Sequence, residues 1–373
     1  MTSRKIESDK IFMQKALELA ARGRGRTSPN PMVGAVIVKG GDIIAADFHK
    51  KAGAPHAEIL ALKKAGKRAR GSTLYISLEP CCHTDKRTPP CTGAIIRAGI
   101  KRVAVAMIDP NPKVSGMGLK ELRKAGIETV SGIMRNEALK LNEVFIKYIT
   151  EKMPFVILKV AQSLDGKIAT AGGVSKWITG EQARKHVHKL RNEVDAVLVG
   201  IGTVKKDDPS LDCRIKRGRN PYRVIADSGL DIPLSAKVLK HNDNRTIIAT
   251  VHQGPKHNRA HQRKAGLLEN MGVQVLTVKE KDGKIDLRSL MKKLAGLEIT
   301  SVMIEGGSAI NASALSSGIV DKVMLFTAPK IIGGADAISS IGGESPVLLT
   351  NAFSINDLQV TKIGDDLLLE GYL

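Results

Sequence analysis

Two α/β domains in tandem are what this sequence predicts. Three observations carry that expectation. The 373-residue length exceeds one ordinary domain. Strand-like apolar runs alternate with segments of helical period along the whole chain. Pro154 falls where one such series stops and a fresh one starts, at a residue type that helices tend to end before. The expected domains are residues 1–152 and 153–373.

Residues 9–22 place Ile11, Phe12, Ala16, Leu19 and Ala20 on one helical face, with Asp9 as candidate cap. Gly23, Gly25, Pro29 and Pro31 end that helix. Residues 33–38 and 42–47, joined by Lys39-Gly40-Gly41, read as a hairpin. A helix is expected from Pro55 to about Lys67, a strand over 72–78 and a helix over 92–98. A buried-type strand over 102–108, a helix over 118–124, a short strand over 128–130 and one helix over 136–149 complete the first half. In the second half, strands are expected over 155–161, 196–199, 223–226, 246–250, 274–278, 302–304 and 322–327. Helices are expected over 181–191, 287–294 and 309–315. Neither an internal repeat nor a low-complexity linker is visible.

Hydrophobic residues make up 42% of the chain, enough to fill ordinary cores. No apolar run approaches the roughly 18 residues of a membrane span, and residues 1–10 are polar and charged, unlike a signal peptide. The expectation is a cytoplasmic protein without membrane association. The formal net charge is +21, and both halves contribute: 27 Lys and Arg against 13 Asp and Glu up to residue 150, 31 against 24 beyond it. Such a surplus favours anionic ligands, either phosphorylated metabolites or nucleic acid. Aromatic residues are only 3%, with Trp177 the sole tryptophan, which leaves few platforms for stacking on bases.

Three of the four cysteines, Cys81, Cys82 and Cys91, crowd into eleven residues, with Cys213 apart. That spacing suits a metal site better than a disulfide framework. With His56 they form the strongest signal in the chain: His56-Ala57-Glu58, then Glu79-Pro80-Cys81, then Cys91. One imidazole and two thiolates can hold Zn²⁺ and leave a fourth position for water, whose pKa then falls toward neutrality. Glu58, two residues from His56 at a helix start, can face that open position as a general base without being a ligand. Cys81 and Cys91 each sit at or just before an expected helix N-terminus, where thiolate is favoured. Cys82 doubles the first cysteine and stands as the alternative ligand.

The first half resembles the cytidine-deaminase-like superfamily and, within it, the deaminase domain of the bifunctional riboflavin-biosynthesis family. The matching stretches are Ser28-Pro29-Asn30-Pro31-Met32-Val33-Gly34, His49 to Glu58, Leu78-Glu79-Pro80-Cys81, Arg87-Thr88-Pro89-Pro90-Cys91 and Asp109-Pro110-Asn111-Pro112. The resemblance implies a three-layer fold and substrate contacts at Asn30, His49, Arg87, Thr88, Asp109 and Asn111. Asn30 and Asp109 can read amide and amino edges of a pyrimidine, and His49 and Arg87 can meet a phosphate. Asn30 and Asp109 adjoin prolines, so turn-shaping is their plainer role. This chain departs from the family in having nine residues rather than eight between the two cysteines.

The second half carries a strand-like run broken at Ser163-Leu164-Asp165-Gly166, and later Val302-Met303-Ile304-Glu305-Gly306-Gly307-Ser308, a strand passing through glycines into a helix. Backbone N–H groups at such a turn can approach a phosphate. No G-x-G-x-x-G is present, which argues against an ordinary Rossmann domain. This half is similar to the reductase domain of the same family, of dihydrofolate-reductase-like fold. The matches include Ser175-Lys176-Trp177-Ile178-Thr179, Leu190-Arg191, Thr203-Val204, Asp207-Asp208-Pro209, Asp227-Ser228 and Ala328-Pro329-Lys330. The resemblance implies that Gln162, Trp177, Thr203, Asp207, Ser228, Gly306, Gly307 and Ser308 hold NADPH. It places Lys159, Ser175, Arg191, Arg214 and Glu305 at the substrate, with Arg191 and Arg214 suited to clamp a phosphate. Gln162 replaces a residue that is often small in relatives.

The function implied is deamination of 2,5-diamino-6-ribosylamino-4(3H)-pyrimidinone 5′-phosphate, followed by NADPH-dependent reduction of the ribosyl group of the product to ribityl. The expected partners are phosphorylated pyrimidines, not nucleic acid, and a homo-oligomer is the expected assembly. Two other readings stay open at this point: an RNA-modifying zinc deaminase with an appended binding domain, and a metal-stabilised protein without catalysis.

Overall fold

The computed structural model describes residues 3–82, 89–112, 114–252 and 258–373, without the side chains of residues 3–6 and 258. The chain divides into two compact units, Met1–Met153 and Pro154–Leu373.

The first unit runs α1 (Ser3–Ala21), β1 (Gly34–Lys39), β2 (Asp42–Phe48), α2 (Ala57–Ala65), β3 (Thr73–Ile76), α3 (Cys91–Arg97), β4 (Arg102–Val105), α4 (Met117–Lys124), β5 (Glu128–Ser131), α5 (Arg135–Leu141) and α6 (Glu143–Glu151). Its sheet has the order β2-β1-β3-β4-β5, with β2, β1 and β3 antiparallel and β3, β4 and β5 parallel. Strand side chains alternate between faces. Ala35 and Ile37 therefore join one core, with Ala57 and Ala61 of α2, Ile95 of α3 and Leu122 of α4. Val36 and Val38 join the other, with Met13 and Ala16 of α1 and Ala138 of α5. The result is three layers, helix–sheet–helix.

Two expectations need correction. Asp9 does not cap a helix; α1 begins earlier, at Ser3. Asp9 is buried and receives two bonds from Arg102, at 2.7 and 2.8 Å, and one from the Tyr75 hydroxyl at 2.6 Å. The single helix expected over 136–149 is two helices, because Asn142 leaves helical geometry (φ −105°, ψ 20°). Its side chain turns aside to pair with the backbone of Met32, accepting from the N–H at 2.8 Å and donating to the carbonyl at 3.0 Å. Asn and Asp side chains compete with helix in just this way.

The second unit runs β6 (Phe155–Ser163), β7 (Lys167–Ala169), α7 (Glu181–Glu193), β8 (Ala196–Gly200), α8 (Ile201–Asp207), β9 (Tyr222–Ala226), β10 (Thr246–Val251), α9 (Asn258–Asn270), β11 (Val273–Val278), the short hairpin β12 (Glu280–Lys281) and β13 (Lys284–Ile285), α10 (Leu287–Gly296), β14 (Ser301–Ile304), α11 (Ser308–Ser316), β15 (Lys322–Ala328), β16 (Ile338–Ser339), β17 (Asn356–Ile363) and β18 (Asp366–Tyr372). The nine-stranded sheet has the order β11-β10-β9-β8-β14-β6-β15-β18-β17. The seven strands from β11 to β15 are parallel, and β18 and β17 are antiparallel additions. The parallel strands are near-continuous apolar runs, as burial on both faces requires: Ala196–Val199 and all of β14 are buried. α8, α9 and the closing hairpin β17–β18 go beyond the sequence expectations. β17 forms one edge of the sheet with seven of its eight residues exposed. Asp366, at the start of β18, accepts the Gly180 N–H at 2.7 Å and so caps α7.

Candidate active sites

In the first unit the site grows from two chain reversals. His56 is the residue before α2, in extended conformation (φ −68°, ψ 159°), which puts Glu58 in the first turn of that helix. Cys81 lies just beyond β3, and Cys91 opens α3. One ligand atom from each of His56, Cys81 and Cys91 lies within 4.8 Å of the others, and Cys82 is not among them. The His56 Nδ1 is 3.2 Å from the Cys91 Sγ and 3.6 Å from the Cys81 Sγ.

The hydrogen bond from Cys91, aided by His56, holds the Cys81 thiol down at about 3 despite burial. The same bond, together with burial and Glu58, pushes Cys91 up. The two sulfurs lie close enough to the His56 imidazole for all three groups to reach one divalent cation. Imidazole and paired sulfurs at this spacing fit Zn²⁺. Glu58 is 3% exposed, and burial raises its pKa even though His56 opposes the shift. A carboxyl so placed is suited to receive and return a proton.

Around this centre, His49 is buried; its Nε2 accepts from the Asn30 Nδ2 amide across 3.3 Å, and its Nδ1 faces the Pro55 carbonyl at 3.2 Å. The His49 and His56 rings meet edge to face at 5.6 Å. Burial pushes the pKa of His49 down. Asp109 is buried and accepts the Asn111 N–H at 2.9 Å. Arg87 and Thr88 lie outside the described residues.

In the second unit the candidate residues fall into two groups. Lys159 on β6, Arg191 on α7 and Glu305 after β14 form a buried charge cluster. Arg191 grips Glu305 through two bonds of 2.6 and 2.8 Å, and Lys159 approaches at 3.1 Å. The two cations hold Glu305 far below the usual carboxylate range, outweighing its burial. Arg191 also donates to the Asp212 carbonyl at 3.0 Å, so its guanidinium is engaged on two sides. Arg214 is exposed and pairs with Asp212 at 3.4 Å.

The second group lines a cavity of about 320 Å³: Ser175, Thr203, Asp207, Gly307 and Ser308, with Gly173 and Lys206, which sequence reasoning missed. Ser175, assigned to substrate from the sequence, therefore sits with the cofactor candidates, 3.5 Å from Asp207. Gly306 holds φ +90°, a conformation open to glycine, and Gly307 is the capping residue just before α11. A wall of glycines ending in a helix N-terminus fits the flat, anionic NADPH. Gln162, Trp177 and Ser228 do not line the cavity. Gln162 contacts Thr327 at 3.5 Å, and the Ser228 carbonyl accepts from the Thr250 hydroxyl at 2.9 Å. Trp177 is 62% exposed under the Arg184 guanidinium, 4.6 Å from the ring centre.

Comparison with known proteins matches both units. The cytidine and deoxycytidylate deaminase zinc-binding region matches residues 6–107, and the RibD C-terminal domain matches residues 154–369. The riboflavin biosynthesis protein RibD of Aquifex aeolicus is 47% identical over 364 residues, covering 97% of this chain and 98% of that protein. RibD of Escherichia coli is 37% identical over 363 residues, covering 97% and 98%. Among solved structures, Acinetobacter baumannii RibD superposes with a TM-score of 0.88 at 37% identity, covering 98% of this chain and 99% of that one. The diaminohydroxyphosphoribosylaminopyrimidine deaminase/5-amino-6-(5-phosphoribosylamino)uracil reductase of Thermotoga maritima superposes at 0.84 with 40% identity, covering 99% of each chain. With both halves matched in order and over nearly its full length, the chain belongs to the RibD family of riboflavin biosynthesis proteins.

Proposed function

We propose that residues 1–152 deaminate 2,5-diamino-6-ribosylamino-4(3H)-pyrimidinone 5′-phosphate and that residues 153–373 reduce the resulting 5-amino-6-(5-phosphoribosylamino)uracil to its ribityl counterpart. The observation that carries this is the convergence of His56, Cys81 and Cys91 beside buried Glu58. Bound zinc supplies the Lewis acidity that makes water nucleophilic near neutral pH. Glu58 takes a proton from that water and delivers one to the departing amine, so ammonia leaves as oxygen is added to the ring carbon. Its buried position beside the His56–Cys81–Cys91 cluster suits it to hold the proton between the two transfers. Asn30 and Asp109 orient the pyrimidine edge, and His49 and Arg87 meet the phosphate side. Thr88 and Asn111 are the remaining substrate contacts that the family resemblance implies.

Thr203, Asp207, Gly307 and Ser308, with Gly306 setting the turn, would hold NADPH, which when bound would supply hydride for reduction at C1′ of the opened sugar or its imine. Gln162, Trp177 and Ser228, which the family resemblance assigns to the same cofactor, stand outside the cavity lining. Lys159 and Glu305 face the sugar, Arg191 and Arg214 hold the remainder of the substrate, and Ser175 stands at the cofactor cavity beside Asp207. Phosphorylated substrates agree with the basic character of both halves, and the setting proposed for them is the cytoplasm.

We further propose that two copies pair through β17. Val347, Leu349, Phe353, Leu358 and Val360 are all more than half exposed on or beside this sheet edge. An open apolar edge invites another strand, and antiparallel pairing with its own copy is self-complementary.

The test is incubation with the diaminopyrimidine phosphate, with and without NADPH. Ammonia release in both mixtures and NADPH oxidation only after it support the reading. Glu58→Gln should stop ammonia release, retain zinc and leave reduction of supplied uracil intermediate intact. Salt-sensitive RNA binding without turnover of the pyrimidine would instead favour the RNA-modifying alternative.

A further inference from the structure

Glu79 precedes the metal-ligand candidate Cys81 by two residues and takes no part in the chemistry above. It is 3% exposed. Its backbone N–H continues the sheet, donating to the Met107 carbonyl at 3.0 Å. Its carboxylate crosses to a different segment. Oε2 accepts the N–H groups of Asp109 at 3.1 Å and Gly116 at 2.8 Å, and Oε1 accepts that of Leu119 at 3.1 Å. Those three donors bracket the loop that carries Asp109 and Asn111, together with the first turn of α4.

α4 has no side-chain cap of its own, because its capping position is Gly116. Glu79 supplies the missing acceptor from another strand, and its negative charge faces the positive end of the helix. Contact at this point is close. A Cβ on Gly118 would lie 2.2 Å from the Pro80 carbonyl oxygen and 3.2 Å from Glu79 Oε1. The Asp109 side chain then passes the constraint on, accepting the Asn111 N–H. One carboxylate thus ties Asp109 and Gly116 to the strand end that presents Cys81.

We infer that Glu79 is a positioning residue for deamination, setting the distance between the metal centre and the Asp109–Asn111 substrate loop through its grip on the N-terminus of α4. The inference rests on the proposed substrate role of that loop. A glutamine has the right shape but the wrong donors. With its oxygen kept on Asp109 and Gly116, its NH₂ faces the Leu119 N–H and pushes α4 away. The loop then moves relative to the metal while the ligands stay in place.

The experiment uses the full zinc-loaded chain carrying Glu79→Gln, with NADPH oxidation on supplied uracil intermediate as the control for an intact protein. The expected result is zinc retained, reduction unchanged, and a deamination KM raised about tenfold or more with kcat changed far less. Unchanged KM with only lowered thermal stability overturns the inference, as does loss of zinc in proportion to activity. Gly118→Ala provides a second route, because it leaves the carboxylate intact and forces α4 off Pro80; the same KM-weighted defect is expected, and wild-type KM counts against the idea. Asn111→Ala separates the two levels of argument. If it leaves KM unchanged, the substrate-loop reading itself fails. If it raises KM while Glu79→Gln and Gly118→Ala do not, the positioning role alone is lost.

Discussion

Glu305 is the residue whose charge does most in the second unit. It balances both Lys159 and Arg191 from a nearly inaccessible position. Removing one member of such a buried cluster strands the others, at a cost of about 3–5 kcal/mol. Glu305→Gln should therefore destabilise the reductase unit at neutral pH. The folded carboxyl is held below its unfolded value. Its contribution is present above the ordinary carboxylate range and declines as pH falls below about 4, where the unfolded chain binds more protons. Denaturant unfolding across pH should show the wild-type–variant gap narrowing in acid; a constant gap would contradict this account. At this scale the first site was the more legible. His56, Glu58, Cys81 and Cys91 are distinctive residue types in short motifs, so spacing alone pointed to their chemistry. Glu79 was visible in the same motif, but its role depends on backbone N–H groups some 30 to 40 positions away. Nothing local announces such partners.

Among elements, β4 and α1 show how a polar bond can be built into a three-layer core. Arg102 lies at the start of β4, 6% exposed in its side chain, with its guanidinium on Asp9 of α1 and its Nε on Glu128 of β5. Arg102→Met should lower the stability of the first unit by about 3–5 kcal/mol, because buried Asp9 then loses its ion pair while keeping its charge. Joint replacement with Asp9→Leu should recover much of that loss. Differential unfolding of the single and double variants measures both, and additive losses would show that the pair is not coupled. Most strands were legible as apolar runs, and the period-two split of β1 into two cores follows directly from its sequence. The break at Asn142 was not, because the helical pattern runs through it and only the Met32 backbone gives the side chain a reason to turn away. β17 carries a readable alternation at Leu358, Val360 and its neighbours, and Gly364 marks the hairpin turn. Its exposed position is a tertiary fact, set by where it joins the sheet.

For the molecule as a whole, the open edge of β17 makes assembly measurable. Val360→Lys should shift a two-copy species toward single chains in sedimentation or light scattering, since an edge lysine discourages strand pairing. If the wild-type chain sediments as one copy at every concentration, the pairing proposal is lost. The hairpin that bears this edge also supplies Asp366, which fixes the first turn of α7, and α7 carries Arg191. If two copies pair there as proposed, mass action at a remote sheet margin should reach the reductase chemistry: per-chain reduction rate should vary with protein concentration, whereas ammonia release, served by other strands, should not.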